Sequence, residues 1–405
     1  MGAPDTDTDA PVDPAVADVV ARTEELLRAF PPASTPDRDF LNAQYDAGLA
    51  WVHFPLGLGG LGLAPQLQRE VDLLLFDAGA PDRKSTNRLG YAMGAPTVVA
   101  WGDRAQQERY LRPLFVGDER WCQLFSEPGA GSDLAAVSTR AVRDGDGWVV
   151  NGQKVWSSMA TISDVGMLVT RTDPELPKHQ GLTYFLLDMH APGVEVRPLR
   201  QMTGEAEFNE VYLTDVRVPD SARVGEVSAG WKIAMTTLME ERVLFNRERV
   251  EKSPAELALD LYLQEEGRGS ELRTRMIDMW IRDRVQRLNS VRAAANRTAG
   301  IPGPEGSIGK LVYAELSQDA LELCVDLLGD EGLLYDSYEM ADYTEESLTG
   351  RGEHDLRRRF LRSRALSIEG GTSEIMRNIL AERVLGLPAE QRADKGVPFS
   401  QIPRG

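Results

Sequence analysis

The spacing of hydrophobic residues changes twice along this 405-residue chain, and this restricts the folds that it can adopt. From about residue 14 to residue 121, apolar side chains recur at helical spacing, as at Val16 and Val19. Between about residues 122 and 229 they form short alternating runs that are typical of strands. The helical spacing returns from residue 230. This order, without the glycine fingerprint of a nicotinamide-binding βαβ unit, predicts an α+β fold and argues against a nicotinamide enzyme.

The three zones and the two chain ends predict five segments. Residues 1–13, rich in Asp, Thr, Pro and Ala, predict a disordered tail, and residues 391–405 predict a second tail. Residues 14–121 predict an N-terminal helical domain. Residues 122–229 predict a middle antiparallel β domain, and residues 230–390 predict a C-terminal helical domain.

Glycine-containing stretches predict where the chain turns. Asp144-Gly145-Asp146-Gly147 and Asn151-Gly152 both predict hairpin turns within the β domain. The glycine-rich loop at residues 57–62 does not open a βαβ unit, so we interpret it as a turn between helices and not as a phosphate site. Gly386, with Pro388 beyond it, predicts the end of the last helix.

Composition and charge exclude several classes of partner. The formal net charge of −18 repels nucleic acid and anionic membranes, and we expect neither as a partner. No apolar run approaches the roughly 20 residues that cross a bilayer, and the N-terminus lacks the features of a signal peptide, so we expect a cytoplasmic protein. Cys122 and Cys324 lie in apolar contexts, which favours buried thiols, with a disulfide as the alternative. The four histidines show no metal-ligand spacing, so we expect no metal.

Three motifs occur in a characteristic order along the chain. They are Phe-Ser-Glu-Pro-Gly-Ala-Gly-Ser-Asp at residues 125–133, Asn-Gly-Gln-Lys-Val-Trp at residues 151–156, and Ser-Ile-Glu-Gly-Gly-Thr-Ser-Glu-Ile-Met-Arg-Asn at residues 367–378. Together they resemble the acyl-CoA dehydrogenase family over about residues 14 to 388. The resemblance implies an N-terminal helical domain, a middle β-barrel-like domain and a C-terminal four-helix bundle, with FAD between them.

The resemblance also implies which residues of the β domain contact the flavin. The strand around Phe125 and Ser126 would run along the isoalloxazine edge, with Ser126 hydrogen-bonded to the flavin pyrimidine. Trp156 would pack against the ring and Ser158 would contact it, because a buried flavin needs aromatic surface and fixed donors. Ser132 would lie where the acyl-CoA passes. Taken alone, Trp156 is better explained as a core residue at the end of a strand.

In the C-terminal motif, the resemblance assigns Thr372 and Glu374 to FAD near its phosphates, at the start of a helix whose free N–H groups attract anions. Ser373 is expected to be the N-cap of that helix. Many family members also carry Arg-x-x-Phe-Gly and Gln-x-x-Gly-Gly-x-Gly segments. This chain has no equivalent of the first between Arg273 and Lys310, and it has Asp-Leu-Leu-Gly-Asp-Glu-Gly at residues 326–332 in place of the second.

An arginine cluster offers a substitute for the missing phosphate contacts. Five arginines occur close together, at Arg357, Arg358, Arg359, Arg362 and Arg364. They predict either contacts to the FAD phosphates or a solvated helix face.

The position of the catalytic base is unusual. Many family members carry a glutamate directly before Gly-Thr-Ser, where this chain has Gly370 and Gly371 before Thr372 and Ser373, and the family base position corresponds to Gly370. Glu241 is the replacement candidate. It shares one helical face with Ala234, Leu238 and Phe245, and no lysine or arginine lies three or four residues away to pair with it. Apolar surroundings raise the pKa of a carboxylate, which suits a base near neutral pH.

A family branch that includes isovaleryl-CoA and long-chain dehydrogenases supports this choice. In that branch the base lies on the first helix of the C-terminal bundle, directly before an arginine, as Glu241 lies before Arg242. By the same resemblance, Arg242 and Gly370 belong to the substrate site. Two alternatives remain open: Glu240 and Glu241 are both solvated, or the base is Glu369, one position out of register.

The implied reaction is an FAD-dependent α,β-dehydrogenation of an acyl-CoA thioester in fatty acid or lipid metabolism. Glu241 would remove the α proton, and the β hydrogen would pass as hydride to flavin N5. The Gly370 N–H and a flavin ribityl hydroxyl would bind the thioester carbonyl. An electron transfer flavoprotein would reoxidise the flavin. The alternatives are an oxygen-using oxidase or monooxygenase, and a silent subunit. We expect an oligomer, homomeric by default and either a dimer or a tetramer, with a hetero-oligomer as the alternative.

Overall fold

The structure is a computed structural model. It describes residues 13–82, 87–245, 252–264, 269–298, 303–335, 337, 339–340, 343–344 and 355–402. Among these, helices come first, a sheet follows, and helices return, as the hydrophobic spacing predicts. The α+β class is confirmed.

Short helices form the N-terminal region. Their bounds are α1, Pro14–Ala29; α2, Asp37–Asp46; α3, Gln68–Asp77; α4, Ala95–Trp101; and α5, Arg104–Val116. Polar caps determine where two of them begin. The Asp13 side chain accepts from the Ala15 N–H ahead of α1, and Asp103 forms a reciprocal capping box with Gln106 on α5. Val19 and Leu26 of α1 pack in an apolar cluster with residues of α2 and α3.

The glycine loop at residues 57–62 joins α2 to α3, so its interpretation as a turn between helices is confirmed. Gly57, Gly59 and Gly62 have left-handed backbone, which side chains with a Cβ rarely adopt. A Cβ on Gly60 would lie 2.1 Å from the Phe54 carbonyl oxygen. The glycines therefore serve a tight local turn.

The middle region is one sheet of eight strands. The strands are β1, Trp121–Leu124; β2, Arg140–Asp144; β3, Gly147–Ser158; β4, Val165–Arg171; β5, Leu182–Asp188; β6, Val194–Pro198; β7, Phe208–Pro219; and β8, Arg223–Val224. Along the sheet the order is β6-β7-β3-β2-β4-β5-β8, and β1 also pairs with β4.

The sheet is mixed, and the prediction of a purely antiparallel domain is wrong in this respect. β1 runs parallel to β4, and β2 makes a single parallel pairing with β4. The cause is connectivity: β1 enters from α5 and pairs with a strand that follows only after the β2–β3 hairpin, and a crossover of this kind permits parallel pairing. The other pairings, including the long β3–β7 ladder, are antiparallel.

The two predicted hairpin turns have different outcomes. Asp144 pairs with Gly147 at the end of the β2–β3 ladder, which confirms the first turn. Asn151 and Gly152 instead lie inside β3, so the second prediction is wrong. The ladder to β7 shifts register here, and a Cβ on Gly152 would lie 2.4 Å from Thr139 Oγ1. Gly152 therefore allows a close backbone approach at a bulge.

Helices also form the C-terminal region. They are α6, Gly230–Phe245; α7, Pro254–Gln264; α8, Ser270–Thr298; α9, Glu305–Leu328; α10, Leu356–Ser363; and α11, Ser373–Ile379. α9 packs in an apolar cluster with α7 and α8 that includes Cys324. Gly386 has left-handed backbone after the last helical turns.

The final described residues return to the sheet. Phe399 is buried, and its N–H donates to the Leu176 carbonyl at 3.0 Å. The Arg171 guanidinium lies 3.9 Å from the centre of the Phe399 ring. Segment 398–400 therefore packs against the loop that follows β4.

Both cysteines are buried and free, which confirms the prediction of buried thiols and rejects the disulfide. Burial raises the pKa of each thiol to about 12. Within the described ranges, no helix combines the length and apolar character needed to span a bilayer.

Candidate active site

Trp156, at the end of β3, has an unusual conformation. Its backbone is left-handed, with φ of 60°, and its side chain is 62% exposed. The ring contacts another aromatic ring, that of Phe208, with centroids 5.9 Å apart. Left-handed backbone at a bulky residue costs roughly 1–3 kcal/mol and is concentrated at functional sites. Trp156 is therefore not a core residue, and the fold holds its indole outward.

The Phe-Ser-Glu-Pro motif lies directly beside Trp156. The Ser126 carbonyl accepts a hydrogen bond of 2.9 Å from the Val155 N–H. Phe125 is buried, with its ring edge-on to Tyr184 at 5.9 Å. The other predicted flavin contact on β3, Ser158, pairs with Phe208 of β7. The structure thus brings Phe125, Ser126, Trp156 and Ser158 together at one end of the β1 and β3 strands.

A buried ion pair supports this group, and sequence reasoning assigned it no role. Lys154 is fully buried, and its Nζ donates to Glu127 Oε1 at 2.8 Å and to the Phe125 carbonyl at 3.0 Å. Glu127 also accepts from the backbone N–H groups of Ser138 and Thr139. Glu127 lies in the motif at residues 125–133 and Lys154 in the motif at residues 151–156. Their positions in these motifs were the feature of the sequence that could have identified the pair.

The electrostatics of this pair follow from its burial. Burial alone raises the pKa of Glu127, but the Lys154 charge and the hydrogen bonds outweigh it and lower that pKa. Burial also lowers the pKa of Lys154, and Glu127 opposes this change. The pair fixes the backbone next to Phe125 and Trp156.

The Gly-Thr-Ser segment forms a tight turn before α11. Gly370 and Gly371 both have left-handed backbone, with φ of 61° and 95°. The Thr372 side chain accepts from the Ile375 N–H at 3.1 Å, so Thr372 is the N-cap. The prediction of Ser373 as the N-cap is wrong by one residue, because the turn places Thr372 at the last non-helical position. The Glu374 side chain is exposed and lies 3.8 Å from Arg377.

Arg362 connects this segment to the Trp156 end of the sheet. It pairs with Glu207 at 2.9 Å and with Glu369 at 3.0 Å. Its guanidinium also lies 5.1 Å from the centre of the Phe208 ring, which contacts Trp156 as well. Burial lowers the pKa of Arg362, but the two carboxylates outweigh it and raise that pKa above its ordinary value. Glu369, the alternative base, is thus held in an ion pair.

Most arginines of the cluster form ion pairs with carboxylates of this chain. Arg358 pairs with Glu205, on the loop ahead of β7. Arg357 pairs with Asp355 at 3.0 Å. Arg358 and Arg362 are largely buried, so the solvated-face interpretation is wrong for them. Arg364 differs, because its guanidinium lies over the Phe360 ring and its Nε and Nη2 are buried without a hydrogen-bond partner among the residues that the structure describes.

Among the described residues, two buried hydroxyls near Arg362 also have no hydrogen-bond partner. Ser157 Oγ, between Trp156 and Ser158, finds none in the described part of the chain. The same holds, within those residues, for Ser373 Oγ next to Thr372. Buried polar groups ordinarily find a partner, so each orphan needs an explanation.

Helix α6 reaches the same region of the fold. Thr237 is buried, and its hydroxyl lies 2.9 Å from Thr97 Oγ1 and 3.3 Å from the Tyr184 hydroxyl, whose ring contacts Phe125. Ala234 is buried and Leu238 packs against the main core. Glu241 follows Thr237 by one turn on α6. The side chains of Glu241 and Arg242 lie outside the described residues.

Ser132 lies in an exposed loop between β1 and β2. Its neighbour Asp133 pairs with Lys178 at 2.6 Å, and Lys178 also pairs with Asp394. The loop is thereby attached to the C-terminal segment.

Comparison with known proteins identifies the family. Residues 122–216 match the family model described as acyl-CoA dehydrogenase, middle domain, and residues 228–385 match the C-terminal domain. IpdE1 of Mycobacterium tuberculosis, an acyl-CoA dehydrogenase, is 36% identical over 85% of this chain and 86% of its own length. The chain therefore belongs to the acyl-CoA dehydrogenase family, whose named members are oxidoreductases.

FadE34 of the same organism, also an acyl-CoA dehydrogenase, is 37% identical over 92% of this chain, but the chain spans only 50% of its length. Among solved structures, the Mycobacterium tuberculosis ChsE4-ChsE5 complex matches with a TM-score of 0.67 at 26% identity, covering 95% of this chain and 100% of that one. The Tcur3481-Tcur3483 steroid ACAD matches in fold, with a TM-score of 0.71 at 24% identity over 95% and 100% of the two chains.

The Glu127–Lys154 pair yields a stability prediction. We expect Lys154→Met to lower the free energy of unfolding by about 3–5 kcal/mol, because it leaves a buried carboxylate without its counter-charge. The double variant Glu127→Gln/Lys154→Met should recover part of this loss. Urea denaturation followed by circular dichroism measures both.

Arg217→Ala serves as the control, since it breaks an exposed pair with Asp144 and should cost under about 1 kcal/mol. Equal losses for Lys154→Met and Arg217→Ala would contradict a special role for the buried pair.

Proposed function

We propose that this chain is an FAD-dependent acyl-CoA dehydrogenase that introduces an α,β double bond into an acyl-CoA thioester. One observation carries the proposal: Arg362 joins the Trp156–Phe208 aromatic pair to Glu369, next to the Gly370–Gly371 turn. This contact, hereafter the Arg362 junction, brings the Trp156 motif close to the Gly370 motif, and we propose that the first contacts the flavin and the second the thioester.

The residues at this junction suit a flavin. An indole held outward on strained backbone offers a face for a planar ring, which would bury it. The orphaned hydroxyls of Ser157 and Ser373 and the unpaired N–H groups of Arg364 supply polar contacts. We propose that Phe125, Ser126, Trp156 and Ser158 hold the ring, and that Thr372 and Glu374 lie near the phosphates. Bound FAD supplies the acceptor for the hydride that leaves the β carbon.

The chain's own residues then carry the proton chemistry. We propose that Glu241 takes the α proton of the thioester. It continues along the face of α6 on which Ala234 is buried and Leu238 packs against the core. The Gly370 N–H would donate to the thioester carbonyl oxygen and acidify the α carbon. Ser132 and Arg242 would contact the acyl-CoA. Glu369 is a weaker candidate for the base because Arg362 pairs with it.

The electron acceptor distinguishes two versions of this function. We propose that an electron transfer flavoprotein takes the electrons, as the family resemblance implies. In the alternative, an oxidase or monooxygenase on the same scaffold hands them to oxygen. Rapid reoxidation of the reduced protein by air, with no added acceptor, would favour the alternative.

A second candidate function is that of a silent subunit that completes a partner's site. The observation that favours it is the altered FAD segment: residues 326–332 read Asp-Leu-Leu-Gly-Asp-Glu-Gly, where many relatives carry Gln-x-x-Gly-Gly-x-Gly. The solved ChsE4-ChsE5 structure is a complex of differently named chains. Turnover by the purified chain alone would exclude a silent role.

An exposed apolar face on α8 supports assembly. Residues spaced by three or four positions along this helix share one side and are exposed: Ile277, Ile281, Val285, Leu288 and Val291. A contiguous apolar face of this kind is typical of a protein interface. We propose a second copy of this chain as its partner.

The cofactor prediction follows from the Trp156 environment. The purified protein should be yellow and release FAD on denaturation. Trp156→Ala should weaken FAD binding about tenfold, because it removes a stacking contact of about 1.5 kcal/mol. Fluorescence titration of the apoprotein with FAD measures this. Phe76→Ala, which removes an exposed aromatic side chain from α3, should leave the Kd unchanged. Finding FMN, or no flavin after reconstitution, would reject the assignment.

The assembly prediction follows from the apolar face of α8. Sedimentation velocity should show a dimer or a tetramer of the chain. Leu288→Glu, which places a charge in the centre of the face, should shift the distribution toward monomer. Glu271→Lys, on the same helix but away from that stretch, should not. A flavin-loaded and active monomer would contradict the proposal.

The base prediction concerns Glu241. Glu241→Gln keeps the size and polarity of the side chain but removes the proton acceptor. We expect flavin and acyl-CoA still to bind, while reduction slows by about 10²–10⁴-fold or more. Stopped-flow flavin bleaching measures this with a panel of straight-chain, branched, aromatic and steroid-side-chain CoA esters.

The neighbouring Glu240→Gln and the alternative Glu369→Gln are the matched controls, and each should slow reduction far less. Near-normal reduction in Glu241→Gln would remove Glu241 from the mechanism.

A further inference from the structure

Lys310, near the start of α9, is a buried charge outside the residues discussed above. Its side chain is about 1% exposed. The Nζ donates to the Leu366 carbonyl at 2.7 Å and to the Gly371 carbonyl at 2.6 Å. An ammonium group in such a place must be compensated by strong hydrogen bonds, because burial removes its hydration. Its two carbonyl partners lie on the same short segment of chain.

That segment begins with a short 3-10 helix, Arg364–Ser367, and has no regular element between residues 368 and 372. It leads from the end of α10 to the start of α11 and includes the two left-handed glycines. The N–H groups of Ile368 and Glu369 both donate to the Ala365 carbonyl, which orders the first half. The second half, at Gly370 and Gly371, consists of the residue type with the most backbone freedom. A contact from elsewhere in the fold is needed to hold it in one conformation.

Lys310 supplies such a contact on both sides of Gly370. Leu366 precedes Gly370 and Gly371 follows it, and a single ammonium group binds the carbonyl of each. Lys310 lies on α9, a long helix that packs against α7 and α8, so its side chain extends from a rigid part of the fold. The two hydrogen bonds therefore clamp the stretch from residue 366 to residue 371 at its two ends.

We propose that Lys310 is a positioning residue that holds the Gly370–Gly371 turn, and with it the Gly370 N–H, in place for the thioester carbonyl. This rests on the proposed function, in which that N–H binds the carbonyl oxygen. A displacement of about 1 Å in such a donor can cost about 10²-fold in rate. The glycines allow the turn to form, and Lys310 selects one conformation.

The same helix offers a matched control in Gln318. Its Nε2 donates to the Ser363 carbonyl at 3.0 Å and to Ser367 Oγ at 3.3 Å. Gln318 thus anchors the same stretch of chain from the same helix, but it does not reach Gly371. Removing either side chain takes the donor away from part-buried acceptors, so both losses should weaken the fold to a similar extent.

The test compares Lys310→Met and Gln318→Leu with the unaltered protein, all loaded with FAD. Two ligands are used: the CoA thioester of the panel that reduces the flavin fastest, and the thioether with the same acyl chain, which lacks the carbonyl oxygen. Lys310→Met should reduce at least about tenfold more slowly and lose most of the preference for thioester over thioether in binding. Gln318→Leu should keep both the rate and the preference.

Several outcomes would overturn the proposal. The first is an unchanged preference for thioester over thioether in Lys310→Met. The second is an equal loss of rate and preference in Lys310→Met and Gln318→Leu, which would show that both side chains act only through packing of the segment. If Lys310→Met fails to fold, Lys310→Gln, which retains a shorter donor, takes its place, and failure of both to fold would assign Lys310 a purely structural role. If the unaltered protein is reduced by no thioester of the panel, the proposed function fails instead, and the two failures are thereby distinguished.

Discussion

The ion pairs of Arg362 with Glu207 and Glu369 are the contact on which the arrangement of the site depends. They join a helix of the C-terminal region to the strand end that carries Phe208, and through Phe208 to Trp156. Because the guanidinium is partly buried, the pairs are less screened than surface contacts and hold both segments in a defined geometry. Loss of Arg362 would leave two partly buried carboxylates facing each other.

Close to the Arg362 contacts, the chain has unusual backbone conformations and unpaired buried hydroxyls in its described part. Trp156 adopts left-handed backbone at a bulky residue, and Gly370 and Gly371 form consecutive left-handed positions. Ser157 and Ser373 leave buried hydroxyls without partners in the described part of the chain. Strain and unpaired polar groups are tolerated where a ligand compensates them. Here the strain lies at Trp156, because glycine adopts left-handed backbone without strain, and the unpaired hydroxyls lie on both sides of the contact.

Buried charges hold each half of the site to the scaffold behind it. Lys154 with Glu127 fixes the backbone beside Phe125, and Lys310 binds the carbonyls around Gly370. In each case a lysine on a regular element contacts an irregular segment. A rigid helix or strand positions a loop more accurately than the loop's own sequence can, because glycine-rich backbone has too many accessible conformations.

Local spacing in the sequence was enough to predict most of the secondary structure, while the resemblance of three motifs predicted the family. The short apolar runs expected in the middle domain match strands such as β4 and β5, and the turn at Asp144–Gly147 is where it was predicted, because side-chain period and turn chemistry are short-range properties. The motifs around Phe125, Trp156 and Gly370 predicted the candidate site only through their resemblance to the acyl-CoA dehydrogenase family.

Only the tertiary structure decided which distant groups meet. The parallel pairing of β1 with β4, the position of Asn151-Gly152 inside β3 and the partners of Arg362 and Lys310 all depend on residues far away in sequence. A sequence does not show whether a charged residue is solvated or buried in an ion pair, because its partner is distant along the chain. The physical reason is that pairing and burial are set by packing between elements, which no local pattern encodes.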